Sequence, residues 1–180
     1  MPQGIKSATE EIYVVVNNQK KLLQKKQMIF TRNGRIKYSK TVDSLGNMLQ
    51  ETEKKLWFVV EKYPNKEPYY CKTRWKPNQR ERISCYTQKQ YKQNEAIYHY
   101  NTDRTINKIV DNFTTFHTQY FYYTNKELTK IVTKDKNDNL VDEIVVKCET
   151  KDERGTCLKE TRNSAKSNHT KEILFIPNYD

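Results

Sequence analysis

Four cysteines, three histidines and one cluster of arginines are the residues of this chain best equipped for chemistry. Cys71 and Cys85 enclose Lys72, Arg74, Lys76, Arg80 and Arg82 in YYCKTRWKPNQRERISCY, residues 69–86, and stand at equal distances from Asn78. A hairpin turning at Asn78 pairs each residue with the one equally far beyond the turn. Cys71 then faces Cys85, Thr73 faces Ile83 and Trp75 faces Glu81 on one side. On the other side Tyr70, Lys72, Arg74 and Lys76 face Tyr86, Ser84, Arg82 and Arg80. Side chains opposed in this way lie ~4.5–5.5 Å apart. Arg74 and Arg82 repel each other there, as do Lys76 and Arg80, so they must be hydrated, splayed or neutralised by a partner. Tyr70, Lys72, Arg74, Lys76, Arg80, Arg82 and Tyr86 are therefore the expected binding residues, and the expected partner is an acidic protein or other polyanion.

Directly opposed cysteines in a close pair can form a disulfide. The loop closed by Cys71 and Cys85 is worth ~3 kcal/mol of chain entropy. Cys148 and Cys157 bracket a second turn, Asp152 to Gly155, where a bulge at the glycine would shift them out of direct opposition. Two hairpin-bracketing pairs favour an oxidising compartment, namely the cell envelope, periplasm or secreted fraction. The alternatives are four reduced thiols in a cytoplasmic protein, or a zinc site of four thiolates, which lacks C-x-x-C spacing.

The remaining reactive types form no catalytic pattern. His99, His117 and His169 are scattered, with no local nucleophile signature around them. There is no phosphate-cradling glycine loop and no HExxH. Asp135, Asn137, Asp138, Asn139 and Asp142 resemble a calcium loop but lack its glycine and terminal glutamate, and a solvated turn is the simpler reading. Asn112-Phe113-Thr114 and Asn168-His169-Thr170 match glycosylation acceptors, relevant only in a eukaryotic secretory setting. No catalytic residue, metal site or cofactor is expected, and the function is binding.

The elements that must position these residues are strands. Thirteen Tyr and only three Ala favour extended structure. Residues 11–17, 34–42, 55–63, 118–124, 128–134, 142–150 and 171–176 read as strands. Met48–Lys55 reads as a further strand rather than a helix. Turn signals separate them at Asn33-Gly34, Ser44–Asn47, Pro64-Asn65, Pro77-Asn78, Asn101–Asp103, Asn125-Lys126, Lys136–Asn139 and Asp152–Gly155. The aromatic run Tyr120–Tyr123 reads as a central strand packed on both faces, with a stacking platform as the alternative. The whole chain, 1–180, forms one domain with its charge set unevenly. Residues 1–90 hold 19 Lys/Arg and 8 Asp/Glu, whereas 91–180 hold 14 of each, so the net +11 lies in the first half. That asymmetry points the first half at an anionic partner, with solubility as the plain alternative. No stretch has the length and apolarity of a membrane span.

Asp43-Ser44-Leu45-Gly46-Asn47 and Asp152-Glu153-Arg154-Gly155-Thr156 share a D-x-x-G turn, which recurs in decayed form, with the glycine replaced, at Tyr100–Ile106 and Tyr123–Leu128. Residues 122–162 and 30–58 resemble the YD-repeat (Rhs-like) hairpin repeats of Bacteroidetes envelope and secreted proteins. The resemblance implies stacked antiparallel hairpins and no chemistry. The fold class expected is all-β: an extended, twisted antiparallel sheet, or an open barrel-like stack of consecutive β-hairpins, with about ten to twelve strands. Exposed edges would invite pairing with another chain, but edge lysines oppose it, so a monomer is expected. The functional expectation is an interaction protein of the envelope or secreted fraction. The alternatives are an immunity protein that neutralises a cognate toxin and a nucleic-acid-binding module.

Overall fold

The structure is a computed structural model and describes residues 4–17, 19–32, 34–76, 80–167 and 169–179. The fold is all-β. Its strands are β1 (Ile5–Val16), β2 (Gln19–Phe30), β3 (Ile36–Asp43), β4 (Met48–Lys54), β5 (Val59–Lys62), β6 (Tyr69–Lys76) and β7 (Arg80–Tyr86), followed by β8 (Lys92–Tyr100), β9 (Ile106–Asp111), β10 (Thr118–Thr124), β11 (Glu127–Lys134), β12 (Leu140–Lys151), β13 (Cys157–Ser164) and β14 (Thr170–Tyr179). Each pairs antiparallel with its neighbours in sequence, and β14 returns to β1, with Ile12 facing Ile173 and Glu10 facing Phe175. The stack of consecutive antiparallel hairpins expected is thus what forms, and it closes on itself as a barrel, with more strands than the ten to twelve anticipated. Closure gives the first and last strands partners and removes the free edges that would template association.

One five-residue turn builds much of the meander. At Thr31–Arg35, Asp43–Asn47, Thr87–Tyr91, Asn101–Thr105, Asp135–Asn139 and Asp152–Thr156, the first N–H bonds the fifth carbonyl and the fourth N–H bonds the first carbonyl. The fourth residue takes positive φ in every case: Gly34, Gly46, Gln90, Arg104, Asp138 and Gly155. This is a type I turn closed by a left-handed bulge residue. In three of these turns an aspartate fixes the first position. Asp43 accepts from the N–H groups of Leu45 and Asn47, Asp135 from those of Asn137 and Asn139, and Asp152 from those of Arg154 and Thr156. The D-x-x-G pattern is therefore a turn specification, and the run from Asp135 is a turn of the same kind. In Asn125-Lys126 both residues take positive φ instead. Asn33, Pro77, Asn78 and Asn168 lie outside the described residues.

The strand expected over 55–63 is broken. Lys55 N–H bonds the Phe58 carbonyl, and β4 ends before that turn while β5 begins after it. β2, β8, β9 and β13 carry charged and amide side chains that blur the apolar alternation. β2 also holds an extra residue at Leu23, where the β1–β2 register shifts.

Following direct cross-strand partners round the ladder divides the side chains into two faces. The inner face carries Ala8, Met28 and Phe30, packed against Ile5, Ile36 and Phe175, together with the buried Ser39, Thr41, Ile131, Thr133, Val146 and Ile173. Such a lining, part apolar and part hydroxyl, is the thin amphipathic core that the composition implies. At the upper rim the inner face opens into a groove of about 400 Å³ floored by Ile12, Leu23, Ile144 and Ile173. The β2–β3 and β4–β5 turns lie side by side on the lower rim, next to the end of β6 at Lys76 and the start of β7 at Arg80. Among the described residues no helix is long and apolar enough to cross a membrane.

Candidate functional site

β6 and β7 pair without a shift in register. Tyr70 faces Tyr86, Cys71 faces Cys85, Lys72 faces Ser84, Thr73 faces Ile83, Arg74 faces Arg82, Trp75 faces Glu81 and Lys76 faces Arg80. The Cys side belongs to the inner face and the basic side to the outer face. Cys71 and Cys85 form a disulfide, their Cα atoms 3.9 Å apart and the residues 1% and 2% exposed. It therefore clamps the hairpin from inside the barrel. Cys148 and Cys157 form the second disulfide, Cα atoms 5.9 Å apart, across a doubly shifted register in which Cys148 faces Glu160 and Cys157 faces Lys151. Bulged residues therefore take these two cysteines out of direct opposition. Glu61 lies beside the Cys71 and Cys85 sulfurs, but both sulfurs are bonded to each other and offer no thiolate to a metal.

Lys72, Arg74 and Lys76 are exposed, and Arg80 and Arg82 are half-buried. None of the five makes an ion pair among the described residues. Lysines elsewhere on the outer face do: Lys25 with Glu11, Lys62 with Glu51, Lys159 and Lys20 with Glu172. The positive face also continues beyond the hairpin. Arg80 faces His99, His99 faces Lys108 and Lys108 faces Tyr120, so one row runs Lys76, Arg80, His99, Lys108 across β6 to β9. Burial lowers the His99 pKa below its ordinary value of 6.5, and the positive charges of Lys108 and Arg80 lower it further. A histidine so placed reports on the local potential: an anion bound here would raise its pKa.

Two polar clusters hold the hairpin in place. Behind β7, on the outer face, Glu95 is 4% exposed. Its Oε2 accepts from Ser84 Oγ at 2.8 Å and lies 2.9 Å from Lys92 Nζ, while its Oε1 accepts from Asn112 Nδ2 at 2.6 Å. Burial pushes the Glu95 carboxyl up, but the bonds from Asn112, Lys92 and Ser84 outweigh it and hold its pKa at about 2. The turn that follows β9 is fixed by Asp111, whose carboxylate accepts from the N–H groups of Phe113, Thr114 and Thr115. Asn112, the one glycosylation acceptor among the described residues, is thus engaged as a structural donor. At the lower end Tyr100 donates to Glu81 at 2.9 Å, and Trp75 stacks on Tyr100 with ring centroids 6.5 Å apart. The Arg35 guanidinium lies over Trp75 at 4.7 Å. It reaches there from the β2–β3 turn, past the two strands in between.

Tyr70 and Tyr86 face each other at the upper end of the basic side, where Tyr70 meets Phe58 edge-on at 5.7 Å. The ring therefore packs within the protein on one side. In the run Tyr120–Tyr123 the rings point to both faces, and the outward Tyr122 is part-exposed with the Lys130 ammonium 5.2 Å over its ring. His117 and His169 lie on the upper rim, remote in register from the hairpin. The pairing of His99 and Lys108 with the hairpin, the Glu95 cluster and the reach of Arg35 have no counterpart in the local pattern, because each depends on the long-range order of strands.

No protein-family model matches this chain, and no curated protein does. Three solved structures are similar at a distance. A porin-like protein from Bacteroides uniformis is 8% identical with a TM-score of 0.44, over 89% of this chain and 55% of that one. A LolA superfamily protein from Nitrosomonas europaea is 9% identical with a TM-score of 0.44, over 97% and 85% of the respective chains. A DUF1329 family protein from Desulfovibrio piger is 10% identical with a TM-score of 0.39, over 98% and 86%. This chain spans about half the length of the porin-like protein.

Proposed function

We propose that this protein is a non-catalytic binding protein of the envelope or secreted fraction, and that it contacts an acidic partner through the outer face of β6 and β7. The observation that carries the reading is the set of five cations, Lys72, Arg74, Lys76, Arg80 and Arg82, held in fixed register and making no ion pair among the described residues. Opposed like charges destabilise a strand pair. A partner's carboxylates would relieve that repulsion, and charge-assisted bonds to guanidinium groups are the strong kind. The buried disulfide keeps the ribbon in register while it waits for its partner. The two disulfides support an oxidising compartment. A toxin neutralised through an acidic surface would be one partner of this chemistry, and an immunity role is the alternative reading.

The test compares two charge-matched triple variants. Lys72→Gln, Arg74→Gln and Arg82→Gln removes three cations that make no ion pair among the described residues. Lys25→Gln, Lys62→Gln and Lys159→Gln removes three that already have partners. Retention on an immobilised acidic polypeptide falls sharply for the first triple and little for the second. Equal losses would reduce the hairpin to ordinary surface charge. A nucleic-acid partner is recognised by its salt dependence, with affinity falling ~0.7 to 0.9 log units per log unit of salt for each phosphate contacted.

A further inference from the structure

The lower rim carries a second feature, centred on the β4–β5 turn and sharing only Lys76 and Arg80 with the hairpin. The β4–β5 turn projects Leu56 and Trp57, each 83% exposed, at its tip. Lys54 and Lys55 precede them, also exposed. The flanking turns at this rim belong to β2–β3, with Arg32 and Arg35 exposed, and to β6–β7, bounded by Lys76 and Arg80. Around the tip, the six cations Arg32, Arg35, Lys54, Lys55, Lys76 and Arg80 stand against two carboxylates, Glu53 and Glu81. Both carboxylates are already engaged, Glu53 with Lys55 and Glu81 with the Tyr100 hydroxyl. Trp75, 51% exposed, adds a third large apolar side chain at the same rim.

We infer that this rim docks on an anionic lipid surface, with Leu56 and Trp57 entering the headgroup layer and the surrounding lysines and arginines held at the phosphates. Two bulky apolar side chains in water at a loop tip are costly unless something covers them. Trp favours the bilayer interface, where its ring is in apolar surroundings and its N–H stays wet. Clustered Lys and Arg beside such an anchor bind anionic headgroups, and stable attachment takes both kinds of signal together. The charge excess selects an anionic bilayer over a neutral one. Leu45 on the upper rim is just as exposed, at 85%, but its turn is capped by Asp43 and carries no cation. It serves as the internal control.

The experiment uses the full chain with Trp75→Phe, which leaves Trp57 as the sole indole. Vesicles of phosphatidylcholine alone are compared with vesicles of phosphatidylcholine and phosphatidylglycerol in equal parts. The protein sediments with the mixed vesicles, its Trp57 emission shifts to the blue, and an aqueous quencher loses access. In the otherwise unchanged chain, Leu56→Ser with Trp57→Ser weakens vesicle binding at least ~10-fold, whereas Leu45→Ser does not. Circular dichroism and melting of the double variant match the parent, since neither side chain is buried. Absence of binding to the mixed vesicles, or binding with Trp57 emission unmoved, overturns the inference. So does equal binding by the double variant. Soluble polyglutamate bound in a manner that depends on Leu56 and Trp57 would assign the tip to an acidic protein and equally overturn it. The Lys72, Arg74, Arg82 triple variant keeps vesicle binding through the tip, so failure here is distinguishable from failure of the hairpin reading.

Discussion

Glu95 is where the scaffold behind the hairpin is most sensitive to pH. Its folded pKa of about 2 lies below the ordinary 4.5. Protonating it in the folded state would weaken the bonds from Ser84, Lys92 and Asn112 together. A depressed carboxylate pKa contributes stability that is fully present above the unfolded value and lost as pH falls through the folded one. The window here is therefore pH 4.5 down to about 2. At 1.36 kcal/mol per unit the shift corresponds to roughly 3 kcal/mol. Lys92 is one-third exposed and screened by salt, which lowers this to about 2 to 3 kcal/mol. Glu95→Gln keeps the shape and removes the charge. At neutral pH it costs that amount, lowering Tm by roughly 4 to 12 °C for a chain of this size. Urea melts of the parent and Glu95→Gln at neutral pH and at successive steps below pH 4.5 measure it. The gap between the two closes as the parent's Glu95 protonates. Asp111, also held at about 2, loses its contribution in both proteins and cancels. A gap that stays constant with pH would refute the assignment of this stability to the Glu95 charge.

Other outcomes follow from the same geometry. Under native conditions a mild thiol reduces the half-buried Cys148–Cys157 bridge before Cys71–Cys85, readable by alkylation and mass spectrometry. Removing the inner bridge with Cys71→Ala and Cys85→Ala costs about 3 kcal/mol in a denaturant melt, the loop entropy of the residues it spans. Arg74→Gln with Arg82→Gln leaves stability unchanged or raises it by no more than about 1 kcal/mol, because an opposed pair of like charges is relieved. Arg104→Gly, at φ +69° in the place where sister turns carry glycine, stabilises the protein by about 1 kcal/mol in the same assay.

The parts of the fold legible in the sequence are those specified locally. The symmetry of Cys71 and Cys85 about one position fixes the register of β6 against β7, and with it which side chains share the basic face. Asp43-x-x-Gly46 and Asp152-x-x-Gly155 specify their turns through side-chain acceptors and a left-handed fourth residue. What was not legible is set by distant residues. Closure of the barrel requires Ile12 to meet Ile173, which no local pattern announces. The break at Lys55–Phe58 is masked because Leu56, Trp57 and Phe58 look like strand residues yet form an exposed tip. Glu95 reads as a surface carboxylate until Asn112 and Ser84 are brought to it by neighbouring strands, and His99 joins the positive row for the same reason.

If the outer face of β6 and β7 binds anions, His99, which sits in its row, reports the binding. Its imidazole resonances, titrated by NMR with and without a soluble acidic polypeptide, test the claim directly. The free protein titrates below 6.5, because burial, Lys108 and Arg80 all disfavour the imidazolium. Bound carboxylates raise the His99 pKa and shift its resonances. Binding that leaves the His99 titration unmoved would contradict the account.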